Sequence, residues 1–417
     1  MNKEFHMGNR KRLYENMEEG AALVLFSGTE KRKTNDEYYP FYTDRNFLYL
    51  TGLDSKEFIL LARKESADRV TEQIYILPPN PLEERWTGER IKPDQAQELS
   101  GIAQVCYLDQ FSGDFHKLAS AGSIETLYLD LSKVEPKDED KEAHRFLRQV
   151  FGNYPYLKIR DVSPLVKKLR LIKQPCEIAA MREAEKITCA GITAMMKASR
   201  PGMYEYQYKA EFDYALGQFG PQGPAFPSII SAGKNNFCIH YYSYRGQAKD
   251  GDMILNDVGA WHDNLMNDVS RGFPCNGTFS ERQRLLYECA LKTSNHMFEI
   301  IRPGMKMADV DLTARKYNCE MLKEAGVLKS YDEIGTYMWH GGAHHVGYDV
   351  HDVVATPEVI GPGMVFCVDI GIYHEEWGIG FRLEDNCLVT ENGCENLSVM
   401  TPRTIEEIED TMRKAQF

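Results

Sequence analysis

The chain has 417 residues, 43% hydrophobic, 11% aromatic and 27% charged, which is the balance of a folded globular protein and excludes a disordered or low-complexity one. That length exceeds one ordinary hydrophobic core and predicts two or three domains. A net charge of −13 argues against nucleic acid or an anionic membrane surface as partner. The opening MNKEFHMGNRKRL lacks the apolar centre of a signal peptide, and no segment approaches the roughly 18 apolar residues of a membrane span. No nucleic acid, no membrane and a cytoplasmic location are therefore expected.

Strand-like runs at 21 to 28, 57 to 64, 72 to 79 and 125 to 132 alternate with helical stretches and predict a small α/β domain. The polar run KVEPKDEDKEAH, 133 to 144, reads as a solvated loop or helix start. From Glu177 the spacing of Ile178, Met181, Ile187, Ile192 and Met195 predicts a helix that stops at Arg200-Pro201-Gly202. Further helices are expected at 204 to 219, 280 to 301 and 308 to 326, around antiparallel strands. The expected division is 1–168, a smaller α/β N-terminal domain, and 169–417, an α+β domain. The ten cysteines form no CxxC pair and several lie in apolar runs such as VFCVDIG, so buried free thiols in a reducing compartment are expected.

Two segments carry paired carboxylates. In MILNDVGAWHDNLMNDVSRGFP a turn centred on His262-Asp263 would place Asp257 directly opposite Asp268. In MVFCVDIGIYHEEWGIGFRLEDNCLV a turn centred on Glu376-Trp377 places Asp369 opposite Glu384. Like charges that close repel unless a cation lies between them, so the two hairpins predict one metal site with four carboxylates. Their duplicated geometry also hints at an internal pseudo-twofold.

The segment HGGAHHVGYDVHD offers His340, His344, His345 and His351, which cannot all be ligands. Oxygen-rich coordination with one imidazole suits Mn²⁺ best, with Co²⁺, Fe²⁺ or Zn²⁺ as alternatives. Two such ions could clamp a carbonyl and support hydrolysis. Arg382, two residues before Glu384, shares its face of the sheet. His240, in FCIHYYSY, reads on local grounds as a satisfied strand histidine.

NDVGA, NDVSRGFP, AHHVGYDVHD and RLEDN, in this order, resemble the metallopeptidase family with the pita-bread fold. NDEYYPFYTDRNFLYLTGL and ERWTGER resemble the N-terminal domain of its aminopeptidase P branch, the Xaa-Pro aminopeptidases. The resemblance implies a pita-bread catalytic domain with a pseudo-twofold antiparallel sheet. It also implies cleavage of the bond between an N-terminal residue and a following proline, with a metal-bridging hydroxide as the attacking group. Two divalent ions would be held by Asp257, Asp268, His344, Asp369 and Glu384, with Asp268 and Glu384 bridging. His240 and His351 would steady the substrate, Tyr373 and Arg382 would brace the carboxylates, and His340 would stand behind the ligands. Asp36 and Trp86 resemble N-domain residues near a neighbouring subunit's site, and a homo-oligomer, dimer or tetramer, is implied. The family's usual EPGxY reads DIGIY here, so Asp369 replaces a Glu. That departure keeps open a non-peptidase or peptide-binding role, and a prolidase-type dipeptidase is the other alternative.

Overall fold

The computed structural model describes residues 1–414, which form two compact units, one of Met1–Arg170 and one from Leu171 onward. In the first unit the apolar run AALVLF makes β1 (Ala21–Phe26). It is followed by β2 (Ile59–Ser66), β3 (Arg69–Ile76), β4 (Gln104–Tyr107), β5 (Thr126–Leu129) and β6 (Lys158–Asp161). They form one mixed sheet in the order β4-β3-β2-β1-β5-β6. The pairs β1/β2 and β2/β3 are antiparallel, while β3/β4, β1/β5 and β5/β6 are parallel. β1 is central and almost wholly buried, as expected of a strand covered on both faces. The charged run after Leu131 stays irregular until the helix Glu142–Asn153 begins.

The second unit repeats one plan twice. The helices Pro175–Ala198 and Glu205–Gly217 precede β7 (Ile229–Ala232), β8 (Met253–Val258), β9 (Trp261–His262), β10 (Leu265–Met266) and β11 (Val269–Pro274). The helices Glu281–Ile300 and Ala308–Glu324 precede β12 (Val365–His374), β13 (Ile379–Val389) and β14 (Cys394–Asn396). The main sheet runs β12-β13-β11-β8-β7, with β14 on β13, so the two long hairpins meet where β13 pairs with β11. Helix pair then hairpin, occurring twice, is the pseudo-twofold α+β arrangement of the pita-bread fold.

Strand alternation decides what each face does. Val368, Ile370, Ile372, Phe381, Leu383, Val269, Phe273, Ile254 and Val258 join Met181's helix neighbours Ile192 and Met195 in one buried core. The residues between them, including Asp369, Glu384 and Asp257, face the other way. Neighbours in sequence therefore part company. Glu384 goes to the site face, whereas Asp385 goes to the core side, where Arg271 Nη2 and Arg403 Nε each hold it at 2.7 Å. Those arginines keep the buried Asp385 carboxyl below its ordinary value despite desolvation.

The first hairpin departs from the expected register. Its turn residues are Asp263 and Asn264, both left-handed at φ 48° and 68°, the pattern of a two-residue hairpin turn that Asp and Asn tolerate. A turn one residue later pairs His262 with Leu265 and sets Asp257 opposite Ser270, not Asp268. The second hairpin pairs Asp369 with Glu384, as its spacing predicts.

Candidate metal centre

Because the registers interlock, the site face is a grid. One row crosses four strands as Asp369, Glu384, Ser270 and Asp257. The row on one side holds Cys367 opposite Asn386, whose amide contacts the Asp268 carbonyl. Asp268, two residues before Ser270, is thus a diagonal neighbour of Asp257 on the same face. The row on the other side pairs Gly371 with Arg382.

Histidine comes to this grid along the free edge of β12. Asp369 N donates to Gly342 O at 2.8 Å, and Cys367 N to His344 O at 2.9 Å. The approach needs glycine: a Cβ on Gly342 would stand 1.9 Å from the Asp369 carbonyl oxygen. Asp311 on the helix Ala308–Glu324 holds this turn by accepting from Gly342 N at 2.7 Å. His344 Nε2 then lies 3.4 Å from Asp268 Oδ2 and 3.8 Å from Glu384 Oε1. His351 stacks on His344 at 3.8 Å between centroids. The buried pair Lys173–Asp352, at 2.7 Å, anchors the segment beside it.

A second chain of contacts lies behind the carboxylates. Asp369 Oδ2 is 3.2 Å from His340 Nδ1, and His340 Nε2 is 2.9 Å from Tyr373 Oη. Arg382 donates through Nη1 to Tyr373 Oη at 3.0 Å and through Nη2 to Asp257 Oδ2 at 2.8 Å. Gly371 leaves the space that His340 fills, since a Cβ there would meet its Nε2 at 2.6 Å. Trp339 stacks on Tyr373 at 4.5 Å. His240 is exposed and stacks loosely on Tyr242. Burial lowers the pKa of His351, against the opposing pull of Asp257.

The electrostatics are those of a site short of positive charge. Burial first, then Glu384 and Asp257, pushes Asp268 well above its ordinary carboxyl value. Burial, then Asp369 and Asp257, does the same to Glu384. Asp369 is pushed up to about 8, chiefly by burial, although Arg382 opposes the shift. Burial and then His351 bring His344 down to about 4, which keeps its ring neutral. Asp257 Oδ1, Asp268 Oδ1 and Asp369 Oδ1 are buried with no hydrogen-bond partner. Orphaned buried carboxylate oxygens are costly in a folded protein. Here they share one sheet face with a neutral imidazole, the donor set that a divalent cation needs. The residues therefore fit divalent metal.

The four expected carboxylates share this face and His344 reaches it from the edge, and one donor atom from each of Asp268, His344, Glu384 and Cys367 lies within 4.8 Å of the other three. Asp257 and Asp369 flank this group. Two contributors were not expected. Ser270 donates to Glu384 Oε2 at 2.7 Å, and Cys367, a buried free thiol as expected, lies among the carboxylates and His344. Cys367 precedes Asp369 by two residues on a strand, and that period was the signal available. His345 is turned away, with Nδ1 3.3 Å from Val365 O.

Residues 179–391 match the model of metallopeptidase family M24, and residues 6–128 match that of the aminopeptidase P N-terminal domain. The Xaa-Pro aminopeptidase of Haemophilus influenzae is 30% identical, over 98% of this chain and 97% of its own. A Bacillus anthracis structure assigned to aminopeptidase P superposes with a TM-score of 0.97 at 36% identity, covering 99% of both chains. Aminopeptidase P from Escherichia coli with the inhibitor Pro-Leu gives 0.92 at 27% identity, covering 100% of this chain and 99% of that one.

Proposed function

Since this chain belongs to metallopeptidase family M24 and carries the aminopeptidase P N-terminal domain, we propose that it is a metal-dependent exopeptidase that releases the residue preceding proline at a peptide N-terminus. The observation that carries this reading is the single sheet face on which four carboxylates and a neutral histidine converge, with three carboxylate oxygens left unpartnered. Asp257, Asp268, His344, Asp369 and Glu384 would hold two divalent ions. Mn²⁺ is the first choice for so oxygen-rich a set. Bound ions would supply Lewis-acid polarisation of the scissile carbonyl and a water acidified near neutral pH.

The remaining chemistry belongs to the chain. Ser270 fixes one Glu384 oxygen by hydrogen bonding, so the other is left to face the centre. Arg382 fixes Asp257 in the same way. Tyr373 Oη accepts from Arg382 and lies 2.9 Å from His340 Nε2, which joins the two ends of the carboxylate row. A neutral His351, stacked on His344, and the exposed His240 would donate hydrogen bonds to a peptide and to the oxyanion that develops from its carbonyl. Ten unpaired cysteines support a reducing, cytoplasmic setting.

Mass spectrometry tests the reaction on Mn²⁺-loaded protein with an Xaa-Pro-Xaa tripeptide, the matching Xaa-Pro dipeptide and a chelator-stripped control. Metal-dependent release of the first residue from the tripeptide alone is expected. Cleavage of the dipeptide alone would mark a prolidase-type enzyme. No cleavage of either, with metal confirmed bound, would reject the peptidase reading.

A further inference from the structure

Strand alternation turns Cys367 toward the same face as Asp369. The thiol is fully buried, and its Sγ lies 4.0 Å from His344 Nδ1. A donor atom from each of Asp268, His344, Cys367 and Glu384 falls within 4.8 Å of the other three. Independently of the sulfur, Asp268 is only 4% exposed and its Oδ1 has no hydrogen-bond partner, while its Oδ2 stands 3.4 Å from His344 Nε2. Among the described residues, no other cysteine joins such a group.

Two carboxylates, one imidazole and one thiol make a mixed hard and soft donor set. Such four-donor sets suit zinc-class ions, whereas a hard ion gains little from sulfur. We propose that Cys367 is a metal ligand: its thiolate, with Asp268, His344 and Glu384, holds one Zn²⁺- or Co²⁺-class ion. The inference rests on the metallopeptidase reading above, because the ion belongs to the same centre. On binding, the S–H bond breaks, sulfur keeps the electron pair and donates it to the ion, and the proton passes to bulk buffer. Cys367 thereby sorts metals. Thiophilic ions engage the sulfur, and Mn²⁺ relies on the oxygens and His344.

The test titrates the chelator-stripped full chain with Co²⁺, beside Cys367→Ser and Cys367→Ala. The native chain is expected to show a near-ultraviolet thiolate-to-cobalt charge-transfer band that saturates together with the visible ligand-field bands. Both variants lose that band and keep ligand-field absorption. Their Co²⁺ affinity falls about tenfold, and their Mn²⁺ affinity less than about twofold. X-ray absorption on the Zn²⁺-loaded native chain needs no variant and is expected to find a sulfur neighbour at about 2.3 Å. Ligand-field bands without charge transfer, a charge-transfer band that survives in the variants, or zinc without sulfur overturns the role of Cys367 and leaves the metal centre standing. Absence of bound metal altogether overturns both readings.

Discussion

Arg382 Nη2 donates to Asp257 Oδ2 at 2.8 Å, the one arginine ion pair made by the four site carboxylates among the described residues. The guanidinium is 2% exposed, so the pair is held away from water and Asp257 cannot easily exchange partners. Arg382→Ala strands that carboxylate and leaves the Tyr373 hydroxyl with His340 alone. Loss of one partner of a buried pair costs about 3–5 kcal/mol. Denaturant unfolding of the metal-free variant is expected to show a loss of that size, with Arg382→Lys intermediate because it keeps charge without the fork. Unchanged stability in both variants would mean that Asp257 is solvated without its partner.

Asp369 is not part of the donor group of Asp268, His344, Cys367 and Glu384, and its side chain is one methylene shorter than the Glu usual in the family. Asp369→Glu is expected to raise kcat of the Mn²⁺-loaded enzyme about tenfold, because displacement on the scale of 1 Å is costly in catalytic geometry. A fall in kcat instead would show that β12 has adapted to Asp.

The carboxyl shifts fix a pH dependence. Unfolded carboxyls titrate near about 4, whereas Asp369 in the metal-free fold is pushed up to about 8, with Asp268 and Glu384 also raised. The histidines whose pKa burial lowers, His344 and His351 among them, oppose this up to about pH 6.5, where unfolded histidine loses its proton. Above it the folded state binds more protons than the unfolded one, so stability falls as pH rises. Tm of the stripped protein is expected to drop between about pH 6.5 and about pH 8, and Mn²⁺ loading to flatten the drop and release protons. Scanning and titration calorimetry measure both; a flat Tm with no proton release would reject the account.

Gly342→Ala sets a methyl carbon 1.9 Å from the Asp369 carbonyl oxygen, a clash with backbone that rotamers cannot relieve. The segment that brings His344 to β12 must then lift away. A loss of about 1–3 kcal/mol, with weakened metal binding, is expected by thermal unfolding and metal titration. Gly304→Ala, at a position with no neighbour within 4 Å but with φ 87°, should leave metal binding unchanged and so separates backbone strain from site damage.

Much of this protein is legible in its sequence. The periodicity from Glu177 gives the helix Pro175–Ala198, and alternation around Asp369 and Glu384 gives both their strands and their register, because a side-chain period of two allows one solution once the turn is set. Residue type and order in NDVGA, NDVSRGFP, AHHVGYDVHD and RLEDN are local facts, and they identify the family. The first hairpin shows the limit. Both His262-Asp263 and Asp263-Asn264 are acceptable turn centres by composition, and only the packed structure, with Asp263 and Asn264 left-handed, chooses between them. That choice moves Asp257 from Asp268 to Ser270. The tertiary fold alone also decides that Glu384 faces the site while Asp385 is neutralised by arginines on the other side. The fold likewise brings Cys367 and His344 together from distant segments. Sequence sets which donors exist and how they alternate along each strand; which of them meet depends on how strands from both hairpins, and an edge segment with them, pair across one sheet.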